Sequence, residues 1–225
     1  MKLVQNEICS RQDVAKELSR YILADEYKVI AVTGPSCVGK STFTGMLTDE
    51  LGKRVTFQVI NVDCYLKETY RAGIKMWKGP EPHLMPKHFD WKRLSDDLNV
   101  LKSGRDIEKQ MYVRGIGWSN KETLYAKDVL VLEGLFLDSM EASEFMEYDL
   151  LVKLSADDEM IKKKRMERDD YFREHFENFT RTKEETIKEA EQTIQAGKSY
   201  TVCENKWKCV RLKIREDYQA EVQYI

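Results

Sequence analysis

The residues from Gly34 to Thr42 have the types and the spacing needed to bind phosphate. They read Gly-Pro-Ser-Cys-Val-Gly-Lys-Ser-Thr and fit the template G-x-x-x-x-G-K-[ST]. In such a loop the backbone N–H groups point inward at phosphate oxygens, and the start of the following helix favours negative charge. Lys40 is expected to reach the β- and γ-phosphates of a nucleotide, and the Ser41 hydroxyl to ligate Mg²⁺. The predicted nucleotide-binding residues are Gly34, Pro35, Ser36, Cys37, Val38, Gly39, Lys40, Ser41 and Thr42.

Two acidic residues lie at the ends of strand-like segments. Asp63 follows the β-branched run 55–62, and Glu133 comes near the end of the apolar run 128–134. In an open parallel sheet, ligands gather at the carboxyl ends of the strands. We therefore expect Asp63 to meet the substrate or the metal, and Glu133 to approach the metal directly or through water. The alternatives are a turn or cap residue for Asp63 and an ordinary strand-terminal charge for Glu133.

A strongly basic segment is predicted to form a helix over residues 155–179. Arg165 and Arg168 are three residues apart, so they share one face of such a helix. This spacing suits a clamp on a polyphosphate, although a run of charges also forms an ordinary solvated helix face. The basic residues of the segment are Lys162, Lys163, Lys164, Arg165, Arg168 and Arg173.

The elements that must position these residues alternate between strands and helices. Strands are predicted over 28–33, 55–62, 107–113, 128–134 and 150–154, and helices over 10–24, 41–51, 91–103, 155–179 and 184–197. A terminal hairpin is predicted from 200–203 and 207–214, with its turn at 204–206. This pattern predicts the α/β fold of P-loop nucleoside triphosphatases, a parallel sheet flanked by helices. No linker or repeat divides the chain, so we expect one domain over 1–225, with residues 1–27 packed on it.

Composition restricts the partners and the compartment. Charged residues make up 34% of the 225 residues, but the formal net charge is only −2, so we expect no nucleic-acid partner. No apolar segment near Met1 resembles a signal peptide, and no run approaches 18 apolar residues, so we expect no membrane partner. The cysteines are few, odd in number and scattered, which predicts reduced thiols in a cytoplasmic protein. They are Cys9, Cys37, Cys64, Cys203 and Cys209.

With these motifs in view, the chain resembles the uridine kinase / phosphoribulokinase family of P-loop kinases. Residues 62–65 are similar to the family's Asp-x-Phe-Tyr segment, 86–90 to its Pro-x-Ala-Phe-Asp segment, and 131–134 to its Phe-Glu-Gly strand end. Arg165-x-x-Arg168-Asp169 followed by Arg173 resembles the arginine-bearing lid, about residues 157–180. The resemblance implies that Asp63 is the base on the acceptor hydroxyl and that Glu133 supports Mg²⁺. It implies that Arg165, Arg168 and Arg173 reach the transferred phosphoryl group, and that Tyr65 and Tyr112 bind the acceptor.

The departures from the family pattern fall on the acceptor side. Residues 82–85 read Pro-His-Leu-Met where the family has Asn-Phe-Asp-His, which removes an aspartate that would contact the sugar. Gly117 stands where uridine kinases carry a histidine for the base, and His175 stands where a lid arginine is expected. We assign no metal to His83 or His88. The phosphoryl-transfer half of the pattern is present, while the uridine-recognising half diverges.

Three functional hypotheses follow. The leading one is a kinase that uses ATP and Mg²⁺ to phosphorylate a hydroxyl of a nucleoside, a sugar or another small metabolite. The second is a nucleotide-dependent regulatory ATPase or GTPase, although residues 120–123 and 205–208 both lack the final aspartate of the guanine-reading Asn-Lys-x-Asp. The third is a degenerate protein that binds nucleotide without turnover. The sequence leaves two alternatives for the oligomeric state. The apolar faces on the first helix and the terminal hairpin either pack in the core of one chain or form an interface between copies in a homo-oligomer.

Overall fold

The structure is a computed structural model that describes residues 6–67, 84–113, 117–177, 179–199, 206–217 and 219–224. Within those ranges the strands of the main sheet are β1 (Ile8–Ser10), β2 (Val29–Thr33), β3 (Phe57–Asn61), β6 (Val129–Gly134), β7 (Leu150–Ser155), β8 (Cys209–Ile214) and β9 (Gln219–Tyr224). Their order in the sheet is β1-β9-β8-β7-β2-β6-β3. Strands β8, β7, β2, β6 and β3 run parallel to one another, and β9 pairs antiparallel with both β8 and β1.

Helices cover both faces of this sheet, which is why its central strands are apolar throughout. Every residue of β2 is buried, and its side chains alternate between two cores. The helices are α1 (Arg11–Ala24), α2 (Lys40–Leu51), α3 (Trp91–Lys102), α4 (Met140–Ser143), α5 (Asp158–His175) and α6 (Lys183–Ser199). One face of the sheet packs on α1 and α2, and the other packs mainly on α3 and the segments around it. Farther along the chain, α5 packs against α6.

A separate two-stranded hairpin, β4 (Ile107–Val113) with β5 (Gly117–Leu124), stands beside the main sheet. The sequence predicted β4 but not β5. The hairpin packs on the 3₁₀ turn Val62–Tyr65, where the Tyr112 N–H donates to Cys64 Sγ at 3.2 Å. The hairpin therefore stands beside the turn that carries Asp63.

The predicted fold class is confirmed. The predicted strands of the sheet, and the predicted helices that flank it, have bounds within a few residues of the observed ones. The terminal hairpin needs a correction. Its predicted first arm, 200–203, lies outside the described residues, and β8 pairs antiparallel with β9 instead and parallel with β7. Strand β9 was missed because Gln219–Tyr224 is short and polar on one face, so its partners are set by the sheet rather than by a local pattern.

Candidate active site

The loop from Gly34 to Gly39 connects β2 to α2, and its two glycines are required by its geometry. Gly34 has φ +144°, and a Cβ atom there would stand 2.3 Å from the backbone oxygen of Leu154. Gly39 is the N-cap of α2 with φ +95°. Both positions disfavour any other residue, because a side chain would clash or be strained. Cys37 also has a positive φ, +65°, so the loop is wound tightly from end to end.

Lys40 opens α2, and its side chain folds back across the loop. Its Nζ donates to the backbone oxygens of Gly34 at 3.1 Å and Pro35 at 2.9 Å, and the residue is only 8% exposed. The ammonium group is therefore held inside the curve of the loop, close to the α2 N-terminus that favours anions. Ser41 and Thr42 follow on the exposed side of the helix start. The predicted nucleotide-binding segment thus curves around a buried positive charge.

The parallel sheet brings Ser41, Glu133 and Asp63 to one edge. Glu133 is in register with Val32 of β2 and with Asn61 of β3, and Ser41 Oγ donates to Glu133 Oε2 at 3.2 Å. Asp63 follows Asn61 in a 3₁₀ turn, where Asn61 Oδ1 accepts a hydrogen bond from the Asp63 N–H at 2.9 Å. Asp63 is 9% exposed, and it lines the same cavity as Ser41 and Glu133.

That cavity has a volume of about 500 Å³ and is lined by the second half of the phosphate loop, whereas Gly34, Pro35 and Ser36 do not line it. Glu133, Asp63, Arg11 and Ile214 line it as well. A cavity of this size holds a small ligand or cofactor. Its lining includes Cys37, Val38, Gly39, Lys40, Ser41 and Thr42 from the loop and Met160, Lys164 and Arg168 from α5.

The predicted arginine pair does reach the loop. Arg165 Nη1 donates to Ser36 Oγ at 2.9 Å, and Arg168 Nη1 donates to the same oxygen at 3.3 Å. Arg165 and Arg168 are three positions apart and share one face of the helix, as the spacing predicted, so their guanidinium groups contact the same hydroxyl. Helix α5 is consequently closed over the beginning of the loop.

Two buried carboxylates hold these arginines, and sequence reasoning assigned neither of them a role. Glu189 of α6 accepts a hydrogen bond from Arg165 and forms an ion pair with Arg181 Nη2 at 2.7 Å. Asp169 has no exposed side-chain surface and pairs with Arg168 at 2.8 Å and with Arg181 at 2.9 Å. Asp169 could have been suspected from its place directly after Arg168. Glu189 has no local signal, because only the packing of α6 on α5 brings it there.

The charge of this cluster decides the ionisation of Asp169. Burial by itself would raise the pKa of the Asp169 carboxyl, but the guanidinium groups of Arg165 and Arg168 outweigh it and hold that pKa below its usual value. Hydrogen bonds from Arg168 and Arg181 act in the same direction. Asp169 is therefore a carboxylate at neutral pH, and together with Glu189 it offsets two of the three guanidinium charges of Arg165, Arg168 and Arg181.

Arg173 does not join the other arginines, which corrects the expectation that it reaches the phosphoryl group. Its Nη1 donates to the backbone oxygen of Arg181 at 2.9 Å and to Thr186 Oγ1 at 3.2 Å. Its Nη2 pairs with Asp170 at 2.6 Å. The physical reason is helical geometry, since Arg173 is eight residues beyond Arg165 and two turns farther from the loop. It ties α5 to the start of α6.

Tyr65 is placed in the core rather than in the cavity, which corrects its expected role as an acceptor ligand. Its hydroxyl donates to Asp97 Oδ2 at 2.9 Å, and Lys109 Nζ lies 3.2 Å from its ring centroid. Burial, reinforced by Asp97, raises the pKa of Tyr65 far above its ordinary value. Tyr112 packs against Trp118 with ring centroids 5.2 Å apart and a tilt of 58° between the rings, and it does not line the main cavity.

The histidines and the other metal-binding residue types form no metal centre in the part of the chain that the structure describes. His88 Nδ1 accepts a hydrogen bond from the Met85 N–H at 3.0 Å, and His175 stacks on Tyr171 at 4.1 Å. His83 lies outside the described residues. In the same ranges no helix is both long and apolar enough to cross a lipid bilayer.

A parallel sheet, a glycine-bounded loop at the start of a helix and a lysine inside that loop define the class of P-loop nucleotide-binding proteins. Comparison with known proteins narrows this class. The chain belongs to the phosphoribulokinase / uridine kinase family, whose model matches residues 29–204. The match covers the loop, Asp63, Glu133 and α5.

Its curated relatives include two kinds of kinase. A pantothenate kinase from Enterococcus faecalis is 30% identical over 172 residues, which are 67% of this chain and 54% of the relative. A uridine kinase from Limosilactobacillus reuteri is 31% identical over 144 residues, 63% of this chain and 64% of the relative. The chain thus spans about half the length of the first and just under two thirds of the second.

Solved structures agree on the fold. One, described as a possible uridine kinase from Bacillus stearothermophilus, has a TM-score of 0.53 and 25% identity over 76% of this chain and 95% of that one. A D-glycerate 3-kinase from Cryptococcus neoformans has a TM-score of 0.66 over 92% of this chain and 97% of that one. Since the second is only 11% identical, it supports the fold alone.

Proposed function

We propose that this chain is an ATP-dependent kinase that transfers the γ-phosphoryl group to a hydroxyl of a small metabolite. One observation carries the proposal. Lys40, the Ser41–Glu133 pair and Asp63 line a single cavity, and Arg168 of α5 closes over it. Phosphoryl transfer needs this combination, because its catalysis consists mostly of positioning and of neutralising charge.

Lys40 and the loop would bind the nucleotide phosphates. The Lys40 ammonium now donates to two loop carbonyls, and bound phosphates would take over these hydrogen bonds as stronger, charge-assisted ones. Ser41 Oγ and the Glu133 carboxylate are hard oxygen donors already in contact, so they fit Mg²⁺, which is commonly held by one or two protein oxygens together with phosphates. A bound Mg²⁺ would neutralise charge that develops on the phosphates.

Asp63 would orient the acceptor hydroxyl and take its proton. It lines the cavity beside Glu133 and is held at the end of β3 by its 3₁₀ turn. A general base must lie within hydrogen-bond reach of the proton it removes, and the hydrogen bond from the Asp63 N–H to Asn61 Oδ1 fixes the turn in which Asp63 lies. The position of Asp63 in the cavity thus supports the proposal that the phosphoryl group is transferred to an alcohol.

Arg165 and Arg168 would keep water away from the reacting phosphoryl group. Both guanidinium groups already touch Ser36, so α5 covers the start of the loop. Exclusion of water separates a kinase from an ATPase, since an exposed γ-phosphate is hydrolysed. This closed position of α5 supports transfer over hydrolysis.

The acceptors of the relatives supply the substrates for the test. They include pantothenate, uridine and D-glycerate, each of which carries a primary or secondary alcohol. The experiment is to incubate the chain with Mg²⁺, ATP and each acceptor, and to quantify phosphorylated product separately from free phosphate. Phosphorylation of one acceptor class supports the proposal and identifies the substrate.

Two other outcomes would contradict the proposal. ATP lost only as free phosphate, across a panel widened to other nucleosides, sugars and hydroxy acids, would indicate a regulatory ATPase. Tight ATP binding with neither product would indicate a degenerate binder. The Lys40→Met variant is the matched background control, because removing the loop ammonium should abolish specific turnover of either kind.

A further inference from the structure

Two residues that line the main cavity lie outside the family match. The match covers residues 29–204, whereas Arg11 belongs to α1 and Ile214 ends β8. Both residues nevertheless line the cavity together with the phosphate loop. The residues that the family model matches therefore do not account for the whole lining of the cavity.

The position of Arg11 is fixed from three directions. The preceding strand β1 pairs with β9, with Cys9 opposite Ala220. Ser10 caps α1, and its Oγ accepts a hydrogen bond from the Asp13 N–H at 3.0 Å. On the other side, Gln12 Nε2 donates to Glu50 Oε1 of α2 at 2.9 Å. The first turn of α1 is consequently anchored both to the sheet and to the helix that follows the phosphate loop.

This anchoring places the Arg11 guanidinium beside the loop. Its Nη1 atom lies 3.5 Å from the point where a Cβ atom on Gly39 would stand. Gly39 is the N-cap of α2, the position at which a P-loop presents backbone N–H groups to phosphate. Lys164 and Arg168 of α5 line the same cavity. Positive side chains thus approach the α2 N-terminus from two separate elements, α1 and α5.

We propose that Arg11 is a nucleotide-binding residue that contacts the α- and β-phosphates. The inference rests on the proposed function, since it assumes a nucleoside triphosphate in this cavity. A guanidinium group offers a planar set of donors that matches phosphate oxygens, and it stays charged at any physiological pH. The strand β1 and the first turn of α1 are then part of the nucleotide site, although the family pattern begins after them.

The test is isothermal titration of ATP, ADP and inorganic tripolyphosphate into the full chain, its Arg11→Gln variant and its Arg20→Gln variant. Arg20 is the matched control, because it lies on the same helix, is 48% exposed and pairs only with nearby Glu17 at 2.8 Å among its described contacts. We expect Arg11→Gln to weaken all three ligands by about 10- to 100-fold, the range for one hydrogen-bonded charge. Arg20→Gln should match the unmodified chain.

Three results would overturn the inference. Equal ATP affinity in the two variants would remove Arg11 from the site. A loss for ATP with none for tripolyphosphate would place Arg11 on the ribose or the base. Failure of the unmodified chain to bind ATP would overturn the proposed function together with this inference. Thermal unfolding of each variant, and an Arg11→Lys variant that keeps the charge and should lose less affinity, show whether any loss comes from misfolding.

Discussion

Arg165 of α5 and Ser36 of the phosphate loop are 129 residues apart in the chain, and Arg165 Nη1 donates to Ser36 Oγ at 2.9 Å. The same guanidinium contacts Glu189 of α6, so one side chain joins the loop to two helices. Under the proposed function, this contact would hold α5 against the loop that binds the nucleotide phosphates.

The first prediction concerns this contact. Arg165→Lys keeps the charge but loses the planar donors, so it should lower the rate of phosphoryl transfer by on the order of 10²- to 10³-fold. ATP affinity should change much less, because the loop and Lys40 hold the nucleotide. The measurement is single-turnover product formation beside equilibrium ATP binding.

Arg173→Lys is the matched control for that experiment. Arg173 lies on the same helix, but its guanidinium is engaged with Arg181, Thr186 and Asp170. Its substitution should leave transfer within a few-fold and lower the melting temperature instead. A large loss of transfer from Arg173→Lys would contradict the placement of Arg173 outside the site.

The second prediction assigns the base. Asp63→Asn keeps the shape of the side chain and removes its proton affinity, so transfer should fall by about 10²- to 10⁴-fold. ATP affinity should remain within a few-fold of the original. The exposed residue Asp49 on α2 supplies the control Asp49→Asn, which should behave like the unmodified chain. Unchanged transfer in Asp63→Asn would remove Asp63 from the mechanism.

The third prediction separates structure from recognition at Tyr65. Tyr65→Phe removes the buried hydroxyl that donates to Asp97, which should reduce the free energy of unfolding by about 1–2 kcal/mol. Asp97 keeps Lys109 as a partner at 3.1 Å, so the loss should stay moderate. The acceptor KM should not change. Urea denaturation and steady-state kinetics measure the two quantities, and a raised KM at unchanged stability would return Tyr65 to the acceptor site.

The fourth prediction follows from the lowered pKa of Asp169. A carboxyl whose pKa is lower in the folded state stabilises the fold at pH values above its unfolded pKa, about 3.9. This stabilisation is lost as the pH falls through the folded pKa. The free energy of unfolding should therefore decrease as the pH is lowered from about 5 to 3 and below.

Asp169→Asn tests that linkage. At pH 7 the variant should be destabilised by about 3–5 kcal/mol, because a buried guanidinium cluster loses its carboxylate. As the pH falls through the folded pKa of Asp169, the difference from the unmodified chain should shrink, since position 169 is then uncharged in both proteins. Asp170→Asn is the partly exposed control with a much smaller effect. Urea denaturation at each pH provides the measurement, and a pH-independent difference would contradict the linkage.

Local sequence was sufficient for much of this molecule. The apolar runs before Gly34 and Glu133 identified the central strands β2 and β6, because a strand buried on both faces needs continuous apolar residues. The β-branched run before Asp63 identified β3, which lies at the edge of the sheet. The phosphate loop was recognisable because its whole pattern lies within nine consecutive residues. Backbone geometry requires its glycines, and phosphate binding requires the charge of Lys40. Arg165 and Arg168 could be paired because helical spacing alone puts them on one face.

Tertiary structure decided which side chains reach the cavity. The sequence predicted Arg173 and Tyr65 as site residues. Arg173 lies two helical turns beyond Arg165 and therefore does not reach the loop. Tyr65 is buried against Asp97 and Lys109 in the core. Glu189 and Arg11 carried no local signal at all, since each depends on how α6 packs on α5 or on how β1 pairs with β9. Contacts between residues far apart in the chain are set by packing over the whole sheet, and no local pattern encodes them.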